Sequence, residues 1–415
     1  MDDGRMAASA VAIAGTPAIR MVKPGRVLSV DVLRGLTIAL MILVNDPGDW
    51  GHVFGQLDHA PWNGWTLTDL VFPTFLFLVG ASIVFSTSAR AAKGDCKATL
   101  TGHVFARAGK IYLLYLVLAF FPYMHWTHLR LYGVLPRIAL CYLIAGLIVL
   151  ATRRVRWLVS IVAVLLVGYW VLLRWVPVPG IGMPGRDVPF MDPNLNLAAW
   201  LDRGFVGWTQ RWLHTGVLYN HTRDPEGLLS SLPAVATTLL GALAGLWMRR
   251  PEWMQGESMR NRMRGGMIAV GGLLFLGGSI WGRWFPVNKN LWTSSYVLVA
   301  AGIAAVALAL LNWLMDGREQ PWPRWLRAVT WPWMVLGSNA IAAFTISIVI
   351  VKTMLDLHHV GADGVRRTWW WLAYYDVFAR SGSNEWTSLA FAVSFVVVCF
   401  LPVWWMWHKR IFLKL

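Results

Sequence analysis

The chain has 415 residues, of which 57% are hydrophobic and 14% charged, and its formal net charge is +16. A soluble domain carries roughly a quarter of its residues as Asp, Glu, Lys or Arg, so this composition excludes an ordinary soluble protein. The basic excess lies in short loops between long apolar runs, the positive-inside pattern of a membrane protein, which argues against nucleic acid as the partner.

In chain order, residues 1–27 begin with two acids and are Ala-rich, with Gly15 and Pro17 interrupting the apolar part. They are expected to be a disordered cytoplasmic tail rather than a cleaved signal. Residues 28–415 are expected to form one all-α, polytopic transmembrane domain with both termini cytoplasmic. Apolar run length places about ten spans at 28–45, 67–88, 108–124, 132–151, 156–176, 230–248, 265–284, 291–314, 331–352 and 386–408.

Basic residues set the orientation. Arg5, Arg20, Lys23 and Arg26 precede the first span. Arg90, Lys93, Lys97, Arg107 and Lys110 follow the second, Arg153, Arg154 and Arg156 the fourth, and Arg249, Arg250, Arg260, Arg262 and Arg264 the sixth. Arg318, Arg324 and Arg327 follow the eighth, and Lys409, Arg410 and Lys414 close the chain. With an even number of spans all of them fall on one side. The 27 tryptophans suit the headgroup level.

Segment 177–229, rich in Pro, Gly, Trp and Asp, is too short for a core of its own and is expected to cap the outer mouth. Segment 353–385 contains RRTWWWLAYYDVFAR and reads as an interfacial or re-entrant helix, with an eleventh short span as the alternative. Cys96, Cys141 and Cys399 show no paired spacing, and no metal site is expected.

The chemistry concentrates where the first span runs into a polar loop and turns back into the second. His59 lies there, in Asp58-His59-Ala60-Pro61-Trp62-Asn63-Gly64. An imidazole between two spans can relay a proton near neutrality, and ionisable groups at that depth are usually functional. If the piece is helical, His59 and Asn63 share a face. Asp69 has capping-box spacing from Thr66 at the entry to the second span, and it could equally orient His59 as a carboxylate does in a catalytic triad. Asn45 ends the first span, as a cap or as a donor to a developing oxyanion.

At the cytoplasmic start of that span Asp31 and Arg34 are spaced to pair, and Arg34 could face an anionic ligand. Arg137 sits inside the outer end of the fourth span, snorkelling or beside a cavity. Asp224-Pro225-Glu226-Gly227 reads as a helix start with Asp224 as N-cap, leaving Glu226 free to hold a cationic amino group. Asn288-Lys289-Asn290 reads as a comparable outer helix start. Asn339 is a polar group inside a span and needs a hydrogen-bond partner.

Six ordered blocks carry a resemblance across nearly the whole chain: SVDVLRGLTIALMILVN, HAPWNGWTLTDLVFPTFLFLVG, GVLPRIALCYLIA, DPEGLLSSLPAVATTLLGALAG, PVNKNLWTSSYVLVAAGIA and VLGSNAIAAF. The chain resembles the bacterial relatives of the heparan-alpha-glucosaminide N-acetyltransferase family. The resemblance implies transfer of an acetyl group from cytoplasmic acetyl-CoA to the amine of a glucosamine unit across the membrane. It maps the essential histidine to His59, the Asn of the first block to Asn45, and the acid opening the next helix to Asp69.

The cosubstrate is then acetyl-CoA without a metal. Asp31, Arg34, Arg107 and Lys110 are expected on its path. Arg137, Glu226, Asn288, Lys289, Asn290 and Asn339 are expected around the acceptor, a small amino sugar or cell-envelope glycan. The setting is a bacterial inner membrane, with a homodimer left open. His59 would deprotonate the amine for direct transfer, or carry the acetyl group in two steps; direct transfer is preferred. The rival readings are a permease for amino sugars or oligosaccharides and an O-acetyltransferase of a glycan. The absence of an internal repeat argues against the permease.

Overall fold

The computed structural model describes residues 27–316, 322–361 and 363–413. The tail through Arg26, with Arg5, Arg20 and Lys23, lies outside the described residues, as do Arg318 and Lys414. Among the described residues nine helices are long and apolar enough to cross a membrane, and a bent pair can supply a tenth span.

The chain runs through α1 (Leu28–Asn45), α2 (Leu67–Ala91), α3 (Lys97–Phe120), α4 (Val134–Ala151) and α5 (Val155–Trp175). It continues with α6 (Leu197–Leu213), α7 (Ser231–Met248), α8 (Glu257–Trp281) and α9 (Ser294–Met315). The bent pair α10 (Arg324–Ser338) and α11 (Ala340–Asp356) follows. A small hairpin of β1 (His358–Val360) and β2 (Arg366–Thr368) leads to the short α12 (Trp369–Ala373), and α13 (Glu385–His408) ends the bundle. The protein is a multi-pass, mostly helical membrane protein. Helices suit this setting because each satisfies its own backbone where water is absent.

Helices α1, α2 and α7 are mostly buried, whereas α3, α5, α8 and α13 present most of their surface outward. The core is drawn tight by small residues. A Cβ added to Gly80 of α2 would lie 1.8 Å from the Thr238 carbonyl oxygen of α7, and one added to Gly241 of α7 would lie 1.8 Å from that of Phe77. Backbones can approach this closely only where no side chain intervenes, the usual device for helix packing in lipid. At the basic face, Asp316 after α9 accepts from the first amides of α1, Leu28 N at 2.8 Å and Ser29 N at 3.1 Å. This anion complements the positive end of the helix dipole.

Three features differ from the sequence expectation. The span expected at 331–352 is not one helix: α10 and α11 meet at 79°, and the break is at Asn339. Asn339 does not line the acceptor site. Its Nδ2 donates to Ile411 O at 2.9 Å and its Oδ1 accepts Leu413 N at 3.0 Å, so the C-terminal segment satisfies the buried amide. Two residues away Gly337 packs on the Asp31 carbonyl at the start of α1. Asn339 is therefore at the basic face, across the bundle from the end of α1 that leads to His59.

The segment 369–378 is helical over only two five-residue pieces. At ~1.5 Å per residue it is too short to cross a ~30 Å core, so it is no eleventh span. Finally, α3 and α8 begin at Lys97 and Glu257, earlier than the apolar runs do, so each helix extends past its hydrophobic stretch. Arg107 and Arg264 thus lie on helices rather than in loops. Arg107 stacks over Tyr142 of α4 at 4.8 Å. Arg264 is buried, bonded to Glu257 (2.6 Å), Asn261 (2.8 Å) and Asn312 (3.0 Å).

Candidate active site

The loop between α1 and α2 is not helical around His59, so His59 and Asn63 are not placed on one helix face. It is pinned instead from three sides. Gly64 N donates to Val287 O at 2.8 Å, and Asn288 Nδ2 donates to Trp62 O at 2.8 Å and to Asn63 Oδ1 at 3.2 Å. Trp62 Nε1 donates to Met191 O at 3.1 Å, and the Arg223 guanidinium lies over the Trp62 ring at 4.7 Å. Asn288 is fully buried and its Oδ1 accepts Leu291 N at 2.9 Å. The Asn288–Asn290 stretch is therefore a turn that grips the histidine loop, and α9 starts later, at Ser294, because the Asn288 side chain is spent on that turn.

His59 donates Nδ1–H to Asp69 Oδ1 at 2.8 Å. The other oxygen, Oδ2, accepts Thr66 N and Ala60 N, both at 3.1 Å. Asp69 thus starts α2 and orients the imidazole at the same time, and the two readings of its spacing both hold geometrically. It is 1% exposed while His59 is 43% exposed. With Nδ1 occupied, Nε2 is the nitrogen free to accept a proton, as in a Ser-His-Asp arrangement.

Lys289 completes the cluster. Its Nζ lies 3.0 Å from His59 Nε2, 3.1 Å from Nδ1 and 3.8 Å from Asp69 Oδ1. Near-equal distances to both ring nitrogens place the ammonium over the ring rather than on either lone pair. Burial lowers the Lys289 pKa from the ordinary lysine value, against the opposing pull of Asp69 and Glu226.

Glu226 is close enough to act on Lys289 but is not a free carboxylate. Arg130 bonds it through Nη2 at 2.5 Å and chelates Asp224 at 2.5 and 2.7 Å. Burial works to lower Arg130, and the two carboxylates outweigh it and hold its pKa raised. Asp224 is accordingly not the N-cap of α7, which begins at Ser231; its charge is used on Arg130.

Arg137 is 2% exposed, so it does not snorkel. Its Nη2 donates to Gly227 O at 2.9 Å and Ser230 Oγ at 2.5 Å, and its guanidinium lies over Trp292 at 5.1 Å. Among the described residues its Nε and Nη1 have no partner. Asn45 is exposed at the end of α1 and Asn290 is half-buried beside Lys289; among the described residues neither side chain makes a hydrogen bond. Asp31 and Arg34 pair with each other at the opposite, basic face. Lys110 is exposed on α3.

Sequence reasoning missed Arg130, which reads as one more loop cation, and Asp202 of α6. Asp202 is 1% exposed and accepts Leu228 N at 2.8 Å, beneath the Asp224–Gly227 turn. Burial pushes its carboxyl up to about 7. A carboxyl raised in the folded state lends stability that is full below its ordinary value and fades as pH climbs to about 7. Asp202→Asn keeps an acceptor for Leu228 N and removes the titration. Its melting midpoint in detergent is expected to gain on the unmodified protein between about pH 4 and pH 8. Parallel curves for the two proteins would contradict this.

The chain is similar to heparan-alpha-glucosaminide N-acetyltransferase of Homo sapiens, 29% identical over 334 residues, covering 71% of this chain and 49% of that protein. With the Mus musculus protein of the same name it is 27% identical over 338 residues, 72% of this chain and 51% of that one. The chain thus spans about half the length of the curated relatives it matches. A family model described as heparan-alpha-glucosaminide N-acetyltransferase, catalytic, matches residues 26–277, well over half of the chain, and the protein belongs to that family.

Proposed function

We propose that this protein transfers an acetyl group from cytoplasmic acetyl-CoA to the amine of a glucosamine-type sugar on the far side of a bacterial inner membrane. The carrying observation is the His59–Asp69–Lys289 cluster at one end of the helical bundle, in a chain whose relatives are named for N-acetyl transfer. Residues 28–415 act as one acyltransferase domain, with 177–229 as its cap.

A neutral amine must lose a proton as it attacks a thioester. His59 Nε2 takes that proton, and Asp69 stabilises the imidazolium. The nitrogen–carbon bond forms as the carbon–sulfur bond breaks, and His59 returns the proton to the departing thiolate. A carbonyl carbon within reach of Nε2 places its oxygen within reach of Lys289 Nζ, only 3.0 Å from that nitrogen. Lys289 therefore holds the oxyanion, a preorganised electrostatic role. The two unpartnered nitrogens of Arg137, Nε and Nη1, suit an acyl or sugar oxygen, since buried donors are rarely left unused. Asn45, Glu226 and Asn290 border the acceptor, and Asn288 acts through the loop it holds. Asp31 and Arg34 guard the basic face where the polyanionic cosubstrate enters, with Arg107 and Lys110 on α3.

The test is purified protein in liposomes supplied with acetyl-CoA and glucosamine. Coenzyme A is expected to appear only when the amine is present, with N-acetylglucosamine as the product by mass. An alkali-labile ester would move the chemistry to a hydroxyl, and sugar uptake without acetylation would replace the enzyme by a permease. Lys289→Met is expected to lower kcat by ~10²–10³-fold with little change in the acceptor KM, and Lys289→Arg to recover part of it. A change confined to KM would make Lys289 a binding residue only.

A further inference from the structure

A cavity lies away from the candidate active site, in the wall of the bundle. It is about 550 Å³ and is framed by α5, α7, α8 and α9. Such a volume is that of a small-molecule site. Its lining is mostly apolar, from Val159, Ala163 and Leu166 on α5 to Val270 and Leu274 on α8. Val159 and Val270 are also among the exposed hydrophobic residues, so the cavity opens sideways, towards the hydrocarbon of the membrane.

The one charged side chain in the lining is at one end. Arg250, just past the end of α7, lines the cavity with Trp247, and its guanidinium lies over the Trp247 ring at 4.7 Å. The Trp247 indole N–H is already given to Met263 O at 3.1 Å. Val155, the first residue of α5, lines the same end, and Arg154 and Arg156 adjoin it in sequence. From Val155 to Val167 the lining runs ~18 Å along α5 at ~1.5 Å per residue. That is about the depth of one leaflet of a ~30 Å hydrocarbon core.

We infer that this cavity is a binding site for an anionic phospholipid of the leaflet at the basic face, with one acyl chain along α5 and the phosphate at Arg250. A basic pocket between spans is the arrangement that selects anionic headgroups. The pantetheine arm of a coenzyme fits poorly, because its amides would meet apolar walls with no partner.

Native mass spectrometry on the delipidated full chain tests this with dioleoyl-phosphatidylglycerol, dioleoyl-phosphatidylcholine and acetyl-CoA as probes. One phosphatidylglycerol is expected to bind at least about fivefold more tightly than phosphatidylcholine, the increment of one basic residue at the surface. Arg250→Gln is expected to abolish the preference, and Ala163→Trp, which fills the cavity, to weaken both lipids. Equal binding of the two lipids by the unmodified protein, or a preference untouched by Arg250→Gln in protein that elutes as a single folded species, overturns the inference. So does displacement of the bound lipid by acetyl-CoA, which would make the cavity a coenzyme channel.

Discussion

Alanine at position 59 is expected to lower acetyl transfer by ~10²–10⁴-fold, the range for removing a positioned general base. The side chain is 43% exposed and sits on a loop held by other groups, so the fold should survive. Asp69 keeps the Thr66 and Ala60 amides and the Lys289 ammonium after the imidazole is gone. The measurement pairs initial rates with radiolabelled acetyl-CoA and a melting curve of the same preparation. An unchanged rate would remove His59 from the chemistry. A burst of coenzyme A from the unmodified enzyme without any acceptor would instead favour an acetylated His59 over direct transfer.

The second large effect is on folding. Gly241→Leu is expected to destabilise the protein by about 3 kcal/mol or more and to strip it of a monodisperse folded peak, since overpacking against backbone leaves no side chain to yield. The added Cβ alone would lie 1.8 Å from the Phe77 carbonyl oxygen. Separating α2 from α7 also disturbs the site, because α2 carries Asp69 and Ser230, just before α7, holds Arg137. Gly102→Ala on α3, where nothing lies within 4 Å, is the control expected to be neutral. Equal melting midpoints for Gly241→Leu and the control would refute the close approach.

The membrane class and most spans were legible because apolar run length reports directly on bilayer thickness. The His59–Asp69 pair was legible too, since both belong to one loop and a helix-start spacing tied the acid to it. Lys289 was expected at a distant helix start and around the acceptor, but not against the imidazole. Its meeting with His59 across 230 residues depends on how α8 and α9 are docked, which no local pattern encodes. Asn339 was misread for a related reason. A buried amide signals a need for a partner but not its identity, and the partner is the C-terminal backbone. Asp224 looks like a cap and Glu226 looks free in sequence because Arg130, far from them in the chain, pairs with both only in three dimensions.

The carboxylate of Asp69 divides its two oxygens between the imidazole and the amides that open α2. The start of a span and the set of a ring consequently share a single side chain, and neither can drift without the other. Asparagine offers one acceptor where two are used, and glutamate is too long to keep both grips. A substitution at position 69 therefore acts on the entry to the helix and on the imidazole at once.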